Sequence, residues 1–235
     1  MGSKGIIWLI MKKQSQLIIG YGEIGQALNK IFINAHIHDP KLPDGAIRSS
    51  GQFDIMHIAF PCFNGFVKEV KRYQKKFKPR LTIIHSTVPV GTTEQIPSAV
   101  HAPIRGKHPN LEEGIRTFVM FIGGKKAEEV ANIFRAKGVS VKCTLNPRTT
   151  ELGKLLDTEY FRECILFNKK VWKLCKKYKA DFDIAYHQFN ETYNTGYCEL
   201  GLHHVERPVL KYMPGPIGGH CVESNHKLLC KGKNS

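Results

Sequence analysis

Leu17-Ile18-Ile19-Gly20-Tyr21-Gly22-Glu23-Ile24-Gly25 is the stretch on which the fold turns: a short apolar run that stops at a glycine turn. Beyond the turn, Ile24, Ala27, Leu28, Ile31 and Phe32 recur at helical spacing as far as Asn34. Ala35 to His38 then reads as a second short strand ending in Asp39, and Pro40 takes the chain out of it at once. Strand, turn, helix and strand in this order form the unit that holds a dinucleotide in doubly wound sheets. The glycines divide the work. Gly20 permits the tight turn, Gly22 lets a pyrophosphate approach the backbone, and Gly25 lets the helix pack closely on the strand. Glu23 and Ile24 complete the phosphate-facing turn. Asp39 stands at the distance of a ribose contact, where a carboxylate accepts from the hydroxyls and repels a 2′-phosphate. That preference favours NAD over NADP, and a surface aspartate capping a turn is the competing reading.

Further strand signals recur at Ile55 to Phe60, Leu81 to His85, Ala99 to Ile104, Phe118 to Ile122 and Val139 to Cys143, with helical patterns at Gly65 to Phe77 and Lys125 to Lys137. Alternation of this kind gives an α/β fold, a Rossmann-like doubly wound and mostly parallel sheet, with its ligand at the carboxyl ends of the strands. After Pro147 the pattern changes. Thr150 to Lys177 reads as one long helix and Asp181 to Glu199 as a second. Pro208 to Cys221 reads as an ordered loop, and the basic tail after Leu229 as frayed. The expected organisation is a nucleotide domain over 1–146, with 1–10 a dispensable extension, and a helical dimerisation and substrate domain over 147–235 that carries a C-terminal cysteine loop.

Composition narrows the classes. Over 235 residues, 42% hydrophobic and 23% charged content is ordinary globular composition. The net charge of +15 favours anionic partners: phosphates, a dinucleotide or an acidic substrate. No nucleic-acid motif accompanies it, so nucleic acid is not the expected partner. Seven cysteines without CxxC spacing form neither a disulfide framework nor a zinc site, and a reducing, cytoplasmic setting follows. Ile6-Ile7-Trp8-Leu9-Ile10 is too short to span a bilayer and lacks a small-residue cleavage site, so no membrane partner is expected. The histidines offer no metal triad by spacing.

Three more motifs carry chemistry. His85-Ser86-Thr87-Val88-Pro89-Val90-Gly91-Thr92-Thr93 follows a strand, and hydroxyls there face the crevice, where Thr87 can position water or a nicotinamide amide. Ser86, Thr87 and, after the preceding strand, Pro61 join the cofactor-facing set. Thr92 or Thr93 fits a helix N-cap. Glu151-Leu152-Gly153-Lys154 opens the long helix, where an ordinary salt bridge is the simplest reading by pattern alone. Gly215-Pro216-Ile217-Gly218-Gly219-His220-Cys221 puts a thiol on a glycine-rich loop, whose N–H groups favour the thiolate.

In this order, the glycine turn, Ser86-Thr87-Val88-Pro89-Val90-Gly91-Thr92, Glu151-x-x-Lys154 and Gly218-Gly219-His220-Cys221 resemble the UDP-glucose/GDP-mannose dehydrogenases, over their nucleotide-binding and central domains. The resemblance implies NAD-dependent oxidation of a sugar primary alcohol to a carboxylate in two hydride transfers. Cys221 is then the nucleophile that forms a thiohemiacetal and a thioester, Lys154 stabilises oxyanion charge, and Thr87 holds water. It also implies a homodimer through the long helix, and a C-terminal nucleotide-sugar domain that has no counterpart here.

Several positions depart from the pattern. Thr158 stands where the family has asparagine, one turn after the lysine, and Asn225 stands where it has aspartate, four residues past the cysteine. Asn225 can hydrogen-bond in the catalytic set but cannot act as a carboxylate base. The family's Pro-Glu segment aligns with Pro103-Ile104-Arg105-Gly106-Lys107-His108, so a basic loop replaces acidic residues. Arg105, Lys107, His108 and Arg207, with Lys154, Thr158, Gly218 and Gly219, form the expected substrate-binding set, suited to an anionic sugar or a nucleotide sugar. Two other functions compete: a two-electron hydroxyacid-type dehydrogenase that does not need Cys221, and a non-catalytic NAD-binding protein.

Overall fold

A computed structural model describes residues 14–42, 51–106, 109–217 and 220–231 of the chain. The glycine turn lies between β1 (Gln16–Ile19) and α1 (Glu23–Ile31), and β2 (His36–His38) returns beside β1 in parallel, with Ile18 opposite Ile37. Next come β3 (Ile55–Ile58), α2 (Phe66–Phe77), β4 (Leu81–Ile84), β5 (Ala99–His101), α3 (Leu111–Thr117), β6 (Met120–Gly123), α4 (Ala127–Arg135) and β7 (Val141–Thr144). They build a seven-stranded sheet in the order β2-β1-β3-β4-β5-β6-β7. All pairs are parallel except β5 with β6. This is the doubly wound α/β sheet expected from the alternating pattern.

Period-two patterning decides which face each strand residue serves. Ile18, Ile55, Leu81 and Ile83 pack with Leu28, Ile31, Val130 and Phe134 from α1 and α4. Leu17, Ile19, Met56, Ile58 and Ile84 pack on the other face against Phe66, Val70, Tyr73 and Phe77 of α2. Both faces are therefore covered, and the central strands are buried throughout.

The chain divides into two compact units, Met1–Lys154 and Leu155–Ser235. The second carries most of α5 (Pro147–Tyr178), a π-helical stretch Asp183–Gln188 that runs directly into α6 (Phe189–Glu199), a 3₁₀ turn at His203–Val205, and α7 (His220–Lys231). Aromatic residues give this unit its centre: Trp172 stacks on Tyr212 at 4.2 Å, and Phe182 meets both Trp172 and Tyr186.

Three features differ from the sequence reading. The loop read from Pro208 to Cys221 gives way to helix at His220, so Cys221 lies in the first turn of α7 and not on a loop. The helix then runs on through Lys231, past the point where fraying was expected. Glycine and proline spacing marks where a helix cannot be, yet it leaves the first helical residue open by a turn or so. Short α3 was not read at all. Among the described residues, no helix is long and apolar enough to cross a membrane.

Candidate functional site

In the first unit the turn between β1 and α1 is shaped by backbone contact. Gly20 has φ +94°, and a Cβ there would lie 2.9 Å from the Phe60 nitrogen. A Cβ on Gly25 would stand 2.0 Å from the Gly20 carbonyl oxygen, a contact that no side chain can make. Gly22 is the opposite case: nothing lies within 4 Å of its Cβ position, and no side chain caps the start of α1. An uncapped helix N-terminus behind an open glycine presents N–H groups and partial positive charge to an anion. Glu23 is exposed at this edge, and Ile24 is half-buried against the core.

Asp39 is tied to the same turn. One of its carboxylate oxygens accepts from the Tyr21 N–H at 2.7 Å, the other from the Lys41 N–H at 2.9 Å. Burial opposes its charge, but these two backbone donors outweigh it and hold the carboxyl below its ordinary range. Each oxygen keeps a further lone pair, so the group can still accept from a ribose hydroxyl. A dinucleotide therefore fits the residues present: an open cradle at Gly22, a helix start that no side chain caps and an ionised acceptor at Asp39.

At the carboxyl ends of β3 and β4, Ser86 is buried and donates from Oγ to the Phe60 carbonyl at 2.6 Å; half-buried Thr87 follows it, and Pro61 is exposed beyond β3. Two buried groups hold the loop from Ser86 to Thr93 in place. His101 bridges the Ser86 carbonyl at 3.3 Å and the Thr150 hydroxyl at 2.9 Å. The Glu151 carboxylate accepts from the N–H groups of Gly91 at 2.6 Å and Thr93 at 2.7 Å. Desolvation raises the Glu151 carboxyl above its ordinary range, against the pull of those donors. Thr92 occupies the N-cap position expected for it, but the cap is this carboxylate, since the Thr92 hydroxyl donates to the Pro89 carbonyl. Lys154 follows one turn after Glu151, and its positive charge adds to the burial that pushes His101 down to about 3.

A chain of buried imidazoles lies on the α1 face of the sheet. His85 Nδ1 donates to the Ala102 carbonyl at 2.7 Å, and its Nε2 lies 2.9 Å from His57 Nδ1. Burial lowers His57 well below its ordinary range and His85 to about 4, so both rings are neutral.

In the second unit, Cys221 is half-buried and Asn225, one turn on, is buried. Asn225 Nδ2 donates to the Thr158 hydroxyl at 3.1 Å, and that hydroxyl donates to the Leu155 carbonyl at 3.2 Å. The two departures from the family pattern are thus hydrogen-bonded to each other. His226 Nδ1 meets the Glu159 carboxylate at 2.8 Å, and Arg162 lies 3.4 Å from Glu223, so α5 and α7 are joined near Thr158 to Arg162. The segment ahead of α7 is held by Lys169, whose ammonium donates to the carbonyls of Met213 and Gly215, both at 2.7 Å, and by Asn168, which donates to the Leu210 carbonyl. It is the ordered segment expected from its prolines.

The basic residues are placed separately. The Arg105 guanidinium lies 5.7 Å from the Phe118 ring and 5.8 Å from the Phe121 ring, in the first unit. That of Arg207, in the second, lies 4.5 Å from the Tyr193 ring and 5.6 Å from the Tyr197 ring. Lys107, His108, Gly218 and Gly219 lie outside the described residues. Sequence reasoning gave no role to His57, His85 or His101, because a histidine in a strand has no spacing signature. It read Glu151 as a helical salt-bridge partner. The signal that could have found its role is an acidic residue on a helix three residues before the lysine, with a glycine-threonine turn elsewhere needing a cap.

No protein-family profile and no curated protein matches the chain. Solved structures do match it in fold. The UDP-D-ManNAc dehydrogenase of Pyrococcus horikoshii superposes with TM-score 0.71 at 18% identity, over 94% of this chain and 65% of its own. The NDP-N-acetyl-D-galactosaminuronic acid dehydrogenase of Methanosarcina mazei does so with TM-score 0.66 at 16% identity, over 100% of this chain and 64% of its own. The 3-hydroxyisobutyrate dehydrogenase of Mycobacterium tuberculosis follows with TM-score 0.60 at 14% identity, over 90% and 79%. The chain therefore spans about 65% of the length of the first of these. The fold is that of the nucleotide-sugar dehydrogenases, as the motifs suggested, and it extends to a hydroxyacid dehydrogenase.

Proposed function

We propose that this chain is an NAD-dependent dehydrogenase that oxidises a sugar or sugar-derived alcohol, with an anionic group or a nucleotide on the substrate. The observation that carries the proposal is the open cradle at Gly22, ahead of the uncapped α1 and beside the ionised Asp39. Gly20, Gly22, Glu23, Ile24 and Gly25 hold the pyrophosphate, Asp39 the ribose, and Pro61, Ser86 and Thr87 the remainder of the cofactor. When bound, NAD⁺ supplies the acceptor for the hydride in each oxidation.

The chain's own residues supply the rest. The Cys221 sulfur, in the first turn of α7, adds as thiolate to the carbon of an aldehyde to give a thiohemiacetal. Loss of hydride from that carbon leaves a thioester, and water cleaves it to a carboxylate and the free thiol. For the whole sequence, one alcohol and one water with two NAD⁺ give one carboxylate, two NADH and three protons. Lys154 stabilises the oxyanions, Thr87 positions the water, and Asn225 with Thr158 contributes hydrogen bonds without a carboxylate base. Arg105, Lys107, His108 and Arg207, with Gly218 and Gly219, recognise the substrate's negative charge. The working form is a homodimer in a reducing compartment.

A second reading, an NAD-binding protein without turnover, is favoured by Asn225, an amide where the resembling family has a carboxylate. A third, a two-electron hydroxyacid dehydrogenase, is favoured by the likeness to the 3-hydroxyisobutyrate enzyme. One experiment separates them. Purified protein is given NAD⁺ with UDP-sugars, GDP-sugars and sugar phosphates, and NADH formed per substrate consumed is counted for the wild type and for Cys221→Ser. Two NADH with loss on substitution is the expected result; one NADH indifferent to the substitution selects the hydroxyacid reading. NAD⁺ binding without NADH formation on any of these substrates selects the binding protein.

A further inference from the structure

A group of metal-ligating side chains lies in the second unit, away from Cys221 in sequence and in its own structural element. Cys198 is in the last turn of α6, and after Gly201, in a left-handed turn at φ +68°, the chain doubles back through the 3₁₀ turn at His203–Val205 to Glu206. The Cys198 thiol, a His203 ring nitrogen and a Glu206 carboxylate oxygen all lie within 4.8 Å of one another, and all three side chains are exposed. His203 Nδ1 and Glu206 Oε1 are 2.8 Å apart. The sequence reading found no metal triad because it weighed the histidines by their own spacing, and not against a cysteine on the preceding helix.

The strap that carries these ligands is fastened independently of them. Asn194 Nδ2 donates to the Arg207 carbonyl and Asn194 Oδ1 accepts from the Arg207 N–H, both at 2.8 Å. The Arg207 guanidinium lies over Tyr193 and Tyr197 on the same helix. Glu206 is thereby held one residue from an anchor on α6, the helix that carries Cys198. The last carbonyls of that helix add partial negative charge beside the thiol. Ligands fixed before the ion arrives lose less freedom on binding it.

The geometry points to a site for a divalent transition ion, Zn²⁺ in chemical class, held by Cys198, His203 and Glu206, with water as the fourth ligand. The donor set chooses the ion. A thiolate and an imidazole suit zinc and its transition-metal neighbours, and exclude the all-oxygen preference of Mg²⁺ and Ca²⁺. On binding, the Cys198 thiol loses its proton to solvent and the metal–sulfur bond forms. His203 binds through a lone pair of the neutral ring, and the ion takes over the bridge to Glu206 now made by hydrogen. No electrons move.

The test uses the full chain and Co²⁺ as a spectroscopic stand-in for Zn²⁺. The expected result is one equivalent of Co²⁺ giving a thiolate-to-cobalt charge-transfer band together with visible bands of a four-coordinate ion, both erased when Zn²⁺ is added. Cys198→Ser should abolish the charge-transfer band, and Cys230→Ser, which removes an exposed thiol elsewhere in the unit, should leave it. His203→Gln and Glu206→Gln should each weaken binding at least about tenfold, since even supporting residues of metal sites cost that much. Zn²⁺ should also raise the melting temperature of the wild type and not of Cys198→Ser, because an ion bound only by the folded state stabilises it by mass action. A charge-transfer band that survives Cys198→Ser, or its absence from the wild type, overturns the proposal. All three ligands are exposed, so the variants fold, and circular dichroism verifies it.

Discussion

Gly22 and Gly25 sit three residues apart and answer to different constraints, which makes them the sharpest pair of residues in the chain. Gly25→Ala forces a methyl group to 2.0 Å from the Gly20 carbonyl oxygen, a backbone atom that cannot swing aside. The turn must open, and overpacking of that kind costs about 1–3 kcal/mol. We expect a clear fall in melting temperature and loss of NAD⁺ binding together. Gly22→Ala meets nothing within 4 Å, so its melting temperature should stay near that of the wild type while calorimetric titration shows weakened NAD⁺ binding. Equal effects of both substitutions on stability would contradict the division of labour. Glu151→Gln is the third informative change at this scale. The amide keeps one acceptor for the two N–H groups of Gly91 and Thr93 and turns an N–H against the other. An unsatisfied buried donor costs about 1–3 kcal/mol, and denaturant titration should find a loss of that size. The tight turn at Gly20 and the close approach at Gly25 were legible from sequence because a turn between two periodic segments states its own geometry. The role of Glu151 was not, since its partners stand some sixty residues away.

The elements that carried a clear period were read correctly: β1, α1, β2, α2 and α4 all lie where alternation or helical spacing put them. Short α3 escaped because Leu111–Thr117 holds too few turns for a period to declare itself, and its apolar residues Leu111 and Ile115 make sense only against the sheet. The start of α7 was obscured by the glycines ahead of it. What the strands bury also sets a pH dependence that no pattern reveals. His57 on β3, His101 at the end of β5 and His85 just after β4 are fully buried, and burial lowers all three, His85 to about 4 and His101 to about 3. An unfolded chain takes up these protons near its ordinary histidine value of 6.5 while the folded chain refuses them. Stability from the neutral rings is therefore complete above pH 6.5 and is lost as pH falls from 6.5 towards 4 and then 3. Each unit of depression corresponds to about 1.4 kcal/mol, so the combined loss is on the order of several kcal/mol. Glu151 acts with the opposite sign, since its raised carboxyl binds a proton more readily in the folded state; its contribution grows as pH falls and cannot offset three histidines. Urea midpoints measured from pH 7.5 down to 4.5 should drop steadily, and the slope should ease in His57→Gln if that variant folds, or in His101→Asn. A flat profile over this range would mean that the rings are reached by water.

At the scale of the molecule, the boundary between units can be argued from what the first sheet needs. Sequence placed it at 146, where proline ends the strand pattern, while the compact units divide between Lys154 and Leu155. The residues in between explain the offset. The Thr150 hydroxyl faces Gly123 of β6, where an added Cβ would come within 2.5 Å of it, and it is also the partner of buried His101. Glu151 caps the turn at Gly91 and Thr93. The first two turns of α5 thus serve the sheet of the first unit, although their helical pattern is continuous with the residues of the second unit. Two truncated chains put this to the test. One ending at Tyr178 keeps all of α5; one ending at Asn146 leaves His101 without its hydroxyl and the Gly91 and Thr93 N–H groups without an acceptor. Buried polar groups deprived of partners cost about 1–3 kcal/mol each, so the shorter chain should be less stable than the longer one by roughly 3 kcal/mol or more, and should bind NAD⁺ more weakly because the loop bearing Ser86 and Thr87 is released. The longer chain should melt in one cooperative step and retain NAD⁺ binding, since Gly20, Gly22, Gly25 and Asp39 all lie in the first unit. Identical melting curves and NAD⁺ affinities for the two chains would return the boundary to 146 and strip the start of α5 of its part in holding the loop.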